Sequence, residues 1–394
     1  MENNTVKNQV LILGLGKAGG RVVETLYRMP EAAGFNMCVF DTDSSSLQSL
    51  TALPEDARVL CDKQWLLGQG TGGDVMKGQR ALSRESSRLQ ALMNNAGHLI
   101  VVGGLGGGTG TGGAGVIARL ARSMSLTAVC MMELPFAFEG HGKRKTAEDG
   151  LRELLALSDT VLAVPNDLLF SVLPAETPFA EAFHLADIEL ARAVLGVIDI
   201  LLPGNLLAAD IGDLSAVLRN RKSYAAIGTG CGFSENMTES CNQALASLLD
   251  SPFLGGAAKL KDADAVIINL TGGEQLTLSE VKRTLENVGT LPGINSSVLI
   301  GANVRKSLGT AVHLTAVAVK YDEREAAAKQ LNEQLKPTRR RNRKSESAQP
   351  VQQTLPLTIA SCGFFEGRTP TIIDGVNFDI PSFVRRQVAI DDGQ

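Results

Sequence analysis

The sequence predicts an α/β fold: a parallel-sheet domain joined by one long central helix to a smaller α/β domain, followed by a disordered linker and a C-terminal tail peptide. Three observations predict it. Short apolar runs ending in Gly, Asp or Asn alternate with helical stretches through the first part of the chain. One long segment, Phe179–Leu202, is amphipathic to fully apolar and is stopped by Pro203 and Gly204. After Lys320 the hydrophobic period is lost. The boundaries that follow are residues 1–178, 179–203, 204–320, 321–370 and 371–394.

Each element rests on its own pattern. Gln9–Leu13 is a short apolar run ended by Gly14, and Gly19–Met29 reads as a helix. Further strands are expected at Met37–Phe40, His98–Val102, Leu126–Met131 and Thr160–Val164, with helices at Val75–Asn95 and Gly113–Met124. Strands alternating with helices point to a parallel sheet covered on both faces, and ligands of such sheets bind at the C-terminal strand ends. Phe179–Leu202 carries Asp187, Glu189, Arg192 and Asp199, so it reads as a core helix and not as a membrane span. The smaller domain is expected to hold strands at Tyr224–Ile227, Ala265–Leu270, Ser297–Ile300 and His313–Val319, with a helix near Leu278–Asn287. The run KPTRRRNRK (Lys336–Lys344) and the polar stretch Ser345–Thr354 read as linker, and VNFDIPSFVRRQ (Val376–Gln387) as an apolar-patterned tail.

Composition narrows the function. A hydrophobic share of 44% against 20% charged residues supports a packed core, and a net charge of −4 gives no reason to expect nucleic acid. The six cysteines lie far apart without a CxxC or Cys/His cluster, so no metal site and no disulfide scaffold are predicted. Polar Met1–Lys7 runs directly into a strand, and no apolar run reaches the length of a membrane helix, so a cytoplasmic protein is expected.

Two glycine loops carry the chemistry. GLGKAG at Gly14–Gly19 fits GxGxxG between a strand and a helix, with Asp41 and Asp43 closing the next strand. Glycine lets the backbone approach a phosphate, and the helix N-terminus supplies N–H donors. A tight turn without ligand is the alternative. The second loop, GGLGGGTGTGG at Gly103–Gly113, also joins a strand to a helix. Its glycines form a concavity of N–H groups, and Thr109 and Thr111 add hydroxyls for phosphate oxygens. It lacks the GxxxxGK[ST] of a P-loop.

LGGGTGTGG at Leu105–Gly113 resembles the signature loop of the tubulin/FtsZ family. The resemblance extends in order along the chain: Asp41–Asp43, Gly68–Gly70 with Gly72 and Gly73, PFAFEG at Pro135–Gly140, Pro165–Asp167, Ala182 and Phe183 with Asp187, NLTGG at Asn269–Gly273, and the tail FDIPSFVRRQ. It implies a guanine-nucleotide site holding GTP or GDP with Mg2+. By that resemblance Gly16, Gly19, Gly20, Gly107, Gly108, Thr109 and Gly110 hold the phosphates, Glu139 binds ribose, Ala18 and Asn166 lie in the site, Phe183 stacks on guanine and Asp187 accepts from it. Phe183 as plain core and Glu139 as a solvated charge are the bland alternatives. Arg21 stands where the family has Asn, and with Lys17 puts two cations beside the phosphates; Lys143 stands where FtsZ has Arg.

The family completes its site with an NxDxxD loop from the neighbouring subunit. The matching stretch here keeps Asp210 and Asp213 as the implied catalytic pair, with Ala208 at the Asn position. Helix capping is a second reading of that pair. The segment Val304–Thr310 replaces an acidic stretch and reads as a solvated hairpin turn. The implied protein polymerises head to tail and hydrolyses GTP at subunit junctions. It acts at the division site on the inner face of the cell membrane, touching the membrane only indirectly, with anchoring and division-regulating proteins on its tail. A paralogue with little GTPase activity and a dinucleotide-binding oxidoreductase are the competing functions.

Overall fold

Strand β1 (Val10–Leu15) is buried along its whole length, and its place in the sheet explains why. The computed structural model describes residues 10–158, 160–171, 173–174, 176–201, 223–291, 296–321, 372–373 and 376–377. In it β1 pairs in parallel with β2 (Asn36–Asp41) on one side and β4 (His98–Gly104) on the other. The sheet order is β3 (Arg58–Leu60), β2, β1, β4, β5 (Thr127–Leu134) and β6 (Thr160–Pro165), and every neighbouring pair is parallel. An interior parallel strand is covered on both faces, so it must be apolar at every position.

Side chains alternate between two cores. Val10 and Ile12 point to the face covered by α1 (Gly16–Arg28), where Val22, Val23 and Leu26 meet them. Leu11, Leu13 and Leu15 point to the face covered by α4 (Val75–Arg84), α5 (Ser86–Met93), α6 (Gly108–Ser123) and α7 (His141–Leu157). Between β2 and α4 lie the short α2 (Ser44–Gln48) and α3 (Lys63–Leu66). Burying one Leu or Val of this kind contributes roughly 1.5–3 kcal/mol, so the two faces together outweigh any local propensity.

The sequence pattern placed these strands correctly but set several ends and breaks differently. β1 continues through Gly14 and β4 through Gly103, and the helices begin at Gly16 and Gly108, so the glycines form first turns and not free loops. The helix expected over Val75–Asn95 is two helices, broken at Glu85. β3 is three residues long, too short to show a period, and α7 buries only Ala147, Leu151 and Leu154, which leaves a mostly polar sequence.

The central helix α8 (Phe179–Leu201) packs on the α1 face of the large sheet. Its Leu190, Val194, Val197 and Ile198 share one core with Ile227, Ile267, Val317 and Val319 of a second sheet. That sheet has the order β7 (Ser223–Gly232), β10 (Val312–Tyr321), β8 (Ala265–Gly272) and β9 (Ser297–Val304). Only the β8–β9 pair is parallel; the other two are antiparallel. The sheet's other face is covered by α9 (Met237–Leu249), α10 (Gly256–Lys261) and α11 (Leu278–Gly289). Both sheets belong to one unit, Met1–Lys336. In Pro337–Gln394, strands Ile372–Ile373 and Val376–Asn377 form an antiparallel pair. The linker and the rest of the tail reading lie outside the described residues. Among the described residues no helix is long and apolar enough to cross a membrane.

The turn after β9 differs from the solvated hairpin expected at Val304–Thr310. Lys306 is exposed and pairs with Glu274, but Arg305 turns inward, where one guanidinium nitrogen lies 2.5 Å from Asp199 Oδ1 on α8. Asp199 is 5% exposed, and burial raises its carboxyl pKa while Arg305 and His313 oppose that rise. The pair therefore ties the central helix to the second sheet. Arg305→Ala strands a buried carboxylate and is expected to cost about 3–5 kcal/mol in chemical denaturation. Replacing both partners by Leu is expected to recover most of that loss.

Candidate nucleotide-binding site

A cleft of about 560 Å³ opens at the C-terminal ends of the large sheet's strands. Its floor begins with the two helix starts. Gly16, with φ of 63°, turns the chain from β1 into α1, and Gly106, with φ of 96°, turns it from β4 towards α6. These conformations favour glycine. The first turn of each helix leaves backbone N–H groups without helical partners, which makes an anion site when two such starts share one cleft. Gly107 is the most open point of the loop: a Cβ added there meets no atom within 4 Å.

Side chains lock the loops together. The hydroxyls of Thr42 and Thr109 share a hydrogen bond of 2.7 Å, linking the end of β2 to α6. Thr111, expected to face phosphate, instead accepts the Gly106 N–H at 2.9 Å and lies outside the cleft lining. Asp43 accepts the Ser45 N–H and so caps α2. Asp41 accepts the N–H groups of Thr42 and Asp43, and burial pushes its carboxyl up to about 6.

The other end of the cleft is rich in acceptors. Asp187 on α8 is 4% exposed; its Oδ2 accepts Arg21 Nε at 2.8 Å, while its Oδ1 has no hydrogen-bond partner. The Arg21 guanidinium carbon also lies 5.6 Å from the centroid of the Phe183 ring, and Phe136 meets that ring edge-on at 5.3 Å. Arg21 thus sits with Asp187 and Phe183, not as the phosphate cation the sequence suggested. Glu139 has a partner on each oxygen: Oε1 accepts the Phe136 N–H at 2.9 Å and Oε2 pairs with Lys143 Nζ at 2.6 Å. Asn166 Nδ2 donates to Glu133 Oε2 at 3.4 Å, leaving Asn166 Oδ1 and Glu133 Oε1 unpartnered. Burial pushes Glu133 up to about 7, reinforced by Asp187 and opposed by Arg21 and Asn166.

The structure brings Gly16, Lys17, Ala18, Arg21, Gly107, Gly108, Thr109, Gly110, Glu139, Lys143, Asn166 and Phe183 to one cleft. Asp187 reaches it through Arg21. Gly19 and Gly20, expected at the phosphates, do not line the cleft. A Cβ on Gly19 would sit 2.2 Å from the Val102 carbonyl oxygen, and one on Gly20 would press on Leu50, so both glycines serve the packing of α1. Asp210 and Asp213 lie outside the described residues. Sequence reasoning missed Glu133 and the Thr42 hydroxyl. A lone acid near the end of the otherwise apolar strand Thr127–Leu134 was the available signal for Glu133.

Residues 9–174 match the model described as the tubulin/FtsZ family GTPase domain, and residues 223–322 that of the FtsZ family C-terminal domain. The cell division protein FtsZ of Rickettsia typhi is 30% identical over 322 residues, covering 82% of this chain and 69% of that protein. Cell division protein FtsZ 1 of Methanocaldococcus jannaschii is 30% identical over 311 residues, covering 79% of this chain and 82% of that protein. Among solved structures, an empty FtsZ dimer of M. jannaschii superposes with a TM-score of 0.66 at 29% identity, covering 80% of this chain and 89% of that one. A GTPγS-bound protofilament of CetZ2 from Haloferax volcanii, at 23% identity and a TM-score of 0.62 over 82% of this chain and 98% of that one, shares the fold. With both domain matches in chain order and two glycine-led helices on one cleft, this chain belongs to the tubulin/FtsZ family.

Proposed function

We propose that this chain binds GTP in the cleft, assembles head to tail, and hydrolyses GTP at the subunit junctions as a cytoskeletal protein of cell division. The observation that carries the reading is the polarity of the cleft. One end offers the donors of two helix starts, and the other holds buried oxygens that lack donors. GTP is complementary to both, since its phosphates only accept while its base and sugar donate. Asp187 Oδ1 is free to accept the ring N–H and amine of guanine while Arg21 holds Oδ2. A dinucleotide enzyme leaves the second glycine-led helix without a role.

Among the described residues no three His, Cys, Asp or Glu side chains converge as a metal site. Mg2+ would therefore be held chiefly by the phosphates and water, its common mode beside nucleotides.

The length of the central helix supports catalysis in trans. Asp187 sits by the cleft, and Leu201 lies 14 residues on, so the helix carries the chain about 21 Å away before Asp210 and Asp213. Those two carboxylates then complete the cleft of the next subunit. Such a heterologous contact does not close, so it builds an open filament. The tail at Val376–Gln387 serves anchoring and regulating proteins at the division site on the inner face of the membrane.

Sedimentation tests the assembly: the protein is expected to pellet with GTP and a slowly hydrolysed analogue and to stay in solution with GDP. The GTPase rate per subunit is expected to rise with protein concentration, and Asp213→Ala is expected to bind GTP normally but turn it over at a small fraction of the wild-type rate. A flat rate that Asp213→Ala leaves unchanged would defeat the in-trans mechanism. Gly107→Val, whose side chain enters open space, is expected to abolish GTP binding while the thermal transition stays near wild type. Trp65 is the single tryptophan and is 71% exposed, as Leu67 and Met76 are exposed, and it is close in sequence to Gly70, Gly72 and Gly73, which line the cleft. Its emission is expected to shift to the blue on assembly with GTP and to stay put with GDP.

A further inference from the structure

We propose that Glu133, with Asn166, reads the sugar of the bound nucleotide and makes the site select ribonucleotides over deoxyribonucleotides. The proposal rests on the guanine-nucleotide reading above and assigns a role to a residue that reading does not use. Three features of the cleft carry it.

The first is position. Glu133 pairs in register with Gly104, where β4 leads into the second glycine loop. On its other side it meets Asn166, just beyond the end of β6. It also feels the charges of Arg21 and Asp187 at the base end. With phosphates at the glycine-led helix starts and the base at Phe183 and Asp187, Glu133 and Asn166 occupy the stretch between, where the sugar belongs.

The second is unmet hydrogen bonding. Glu133 and Asn166 are each 5% exposed and line the cleft. Their mutual hydrogen bond uses Glu133 Oε2 and Asn166 Nδ2, so Glu133 Oε1 and Asn166 Oδ1 remain as two unpartnered acceptors. A ribose presents two neighbouring hydroxyls, which match two neighbouring acceptors. Burying such oxygens without a partner is costly, so a ligand that supplies the donors is favoured.

The third is that the other candidate carboxylate already holds one partner on each oxygen, whereas Glu133 Oε1 holds none. Glu139, the residue expected at the ribose, accepts from the Phe136 N–H with one oxygen and from Lys143 with the other. Charge also suits Glu133 to a hydroxyl. Burial holds its carboxyl near neutrality, up to about 7, and a hydroxyl both donates and accepts, so it pairs with the acid in either protonation state. A phosphate oxygen only accepts and pairs with the protonated form alone.

The test measures binding of GDP, 2′-deoxy-GDP, 3′-deoxy-GDP and ADP to the full chain by calorimetry, since diphosphates avoid turnover. Wild type is expected to bind both deoxy forms about tenfold or more weakly than GDP, the scale of a lost hydrogen bond to a charged group. Glu133→Leu, close in volume, is expected to erase the preference over at least one of the deoxy forms while keeping the preference for GDP over ADP. Glu133→Gln is expected to retain part of it, and Glu139→Ala to leave it in place. Equal binding of GDP and the deoxy forms by wild type overturns the proposal without any variant. Loss of the preference in Glu139→Ala but not in Glu133→Leu overturns it as well. If wild type binds ADP as tightly as GDP, the guanine reading itself has failed, and the proposal fails with it.

Discussion

The site depends on one contact, the seating of α1 directly on β4. Gly19 approaches the Val102 carbonyl so closely that a Cβ would fall 2.2 Å from its oxygen, and Gly110 of α6 approaches the Gly104 carbonyl to 2.1 Å in the same sense. Any side chain at either point would push its helix off the strand. Because neither has one, both helices start at the strand ends and their first turns share one cleft. The Thr42–Thr109 hydrogen bond then joins β2 to the same assembly. Glycine here sets the spacing of the scaffold as much as it exposes backbone to a ligand.

The central helix extends that scaffold to the second sheet. Its apolar residues share one core with both sheets, so neither sheet covers that face without it. Two of its carboxylates are nevertheless buried, and each meets an arginine from a different element: Asp187 meets Arg21 of α1, and Asp199 meets Arg305 after β9. Placing a charge in such surroundings is unfavourable unless it is paired, so these contacts specify how the helix docks. One rigid element thereby sets a carboxylate behind Arg21 at the cleft and another against Arg305 beside the second sheet.

The cleft itself is left electrostatically incomplete. Glu133 and Asp187 are both buried acids, and the one guanidinium between them is taken by Asp187. Their remaining oxygens, with that of Asn166, lack donors. An unsatisfied buried polar group costs about 1–3 kcal/mol, and a ligand that satisfies several of them gains that relief as binding energy. A site built this way is more complementary to its ligand than to water.

Much of this was legible in the sequence. The strands showed as apolar runs, because burial on both faces acts on every residue of a short segment, and the glycine loops marked where two helices start at the cleft. The family resemblance named further residues that line the cleft, among them Glu139, Asn166 and Phe183. The short β3 and the polar α7 escaped because each buries too few side chains to leave a period. The roles of particular residues escaped for a different reason. Arg21 looked like a phosphate cation, Gly19 like a phosphate glycine and Arg305 like a solvated turn residue. Only the packed structure turned Arg21 to Asp187, pressed Gly19 on Val102, and carried Arg305 to Asp199. Secondary structure follows local periods of two and 3.6 residues, which a sequence displays directly. A contact such as Arg21 to Asp187 spans 166 positions, and its existence is decided by how two helices pack on one sheet.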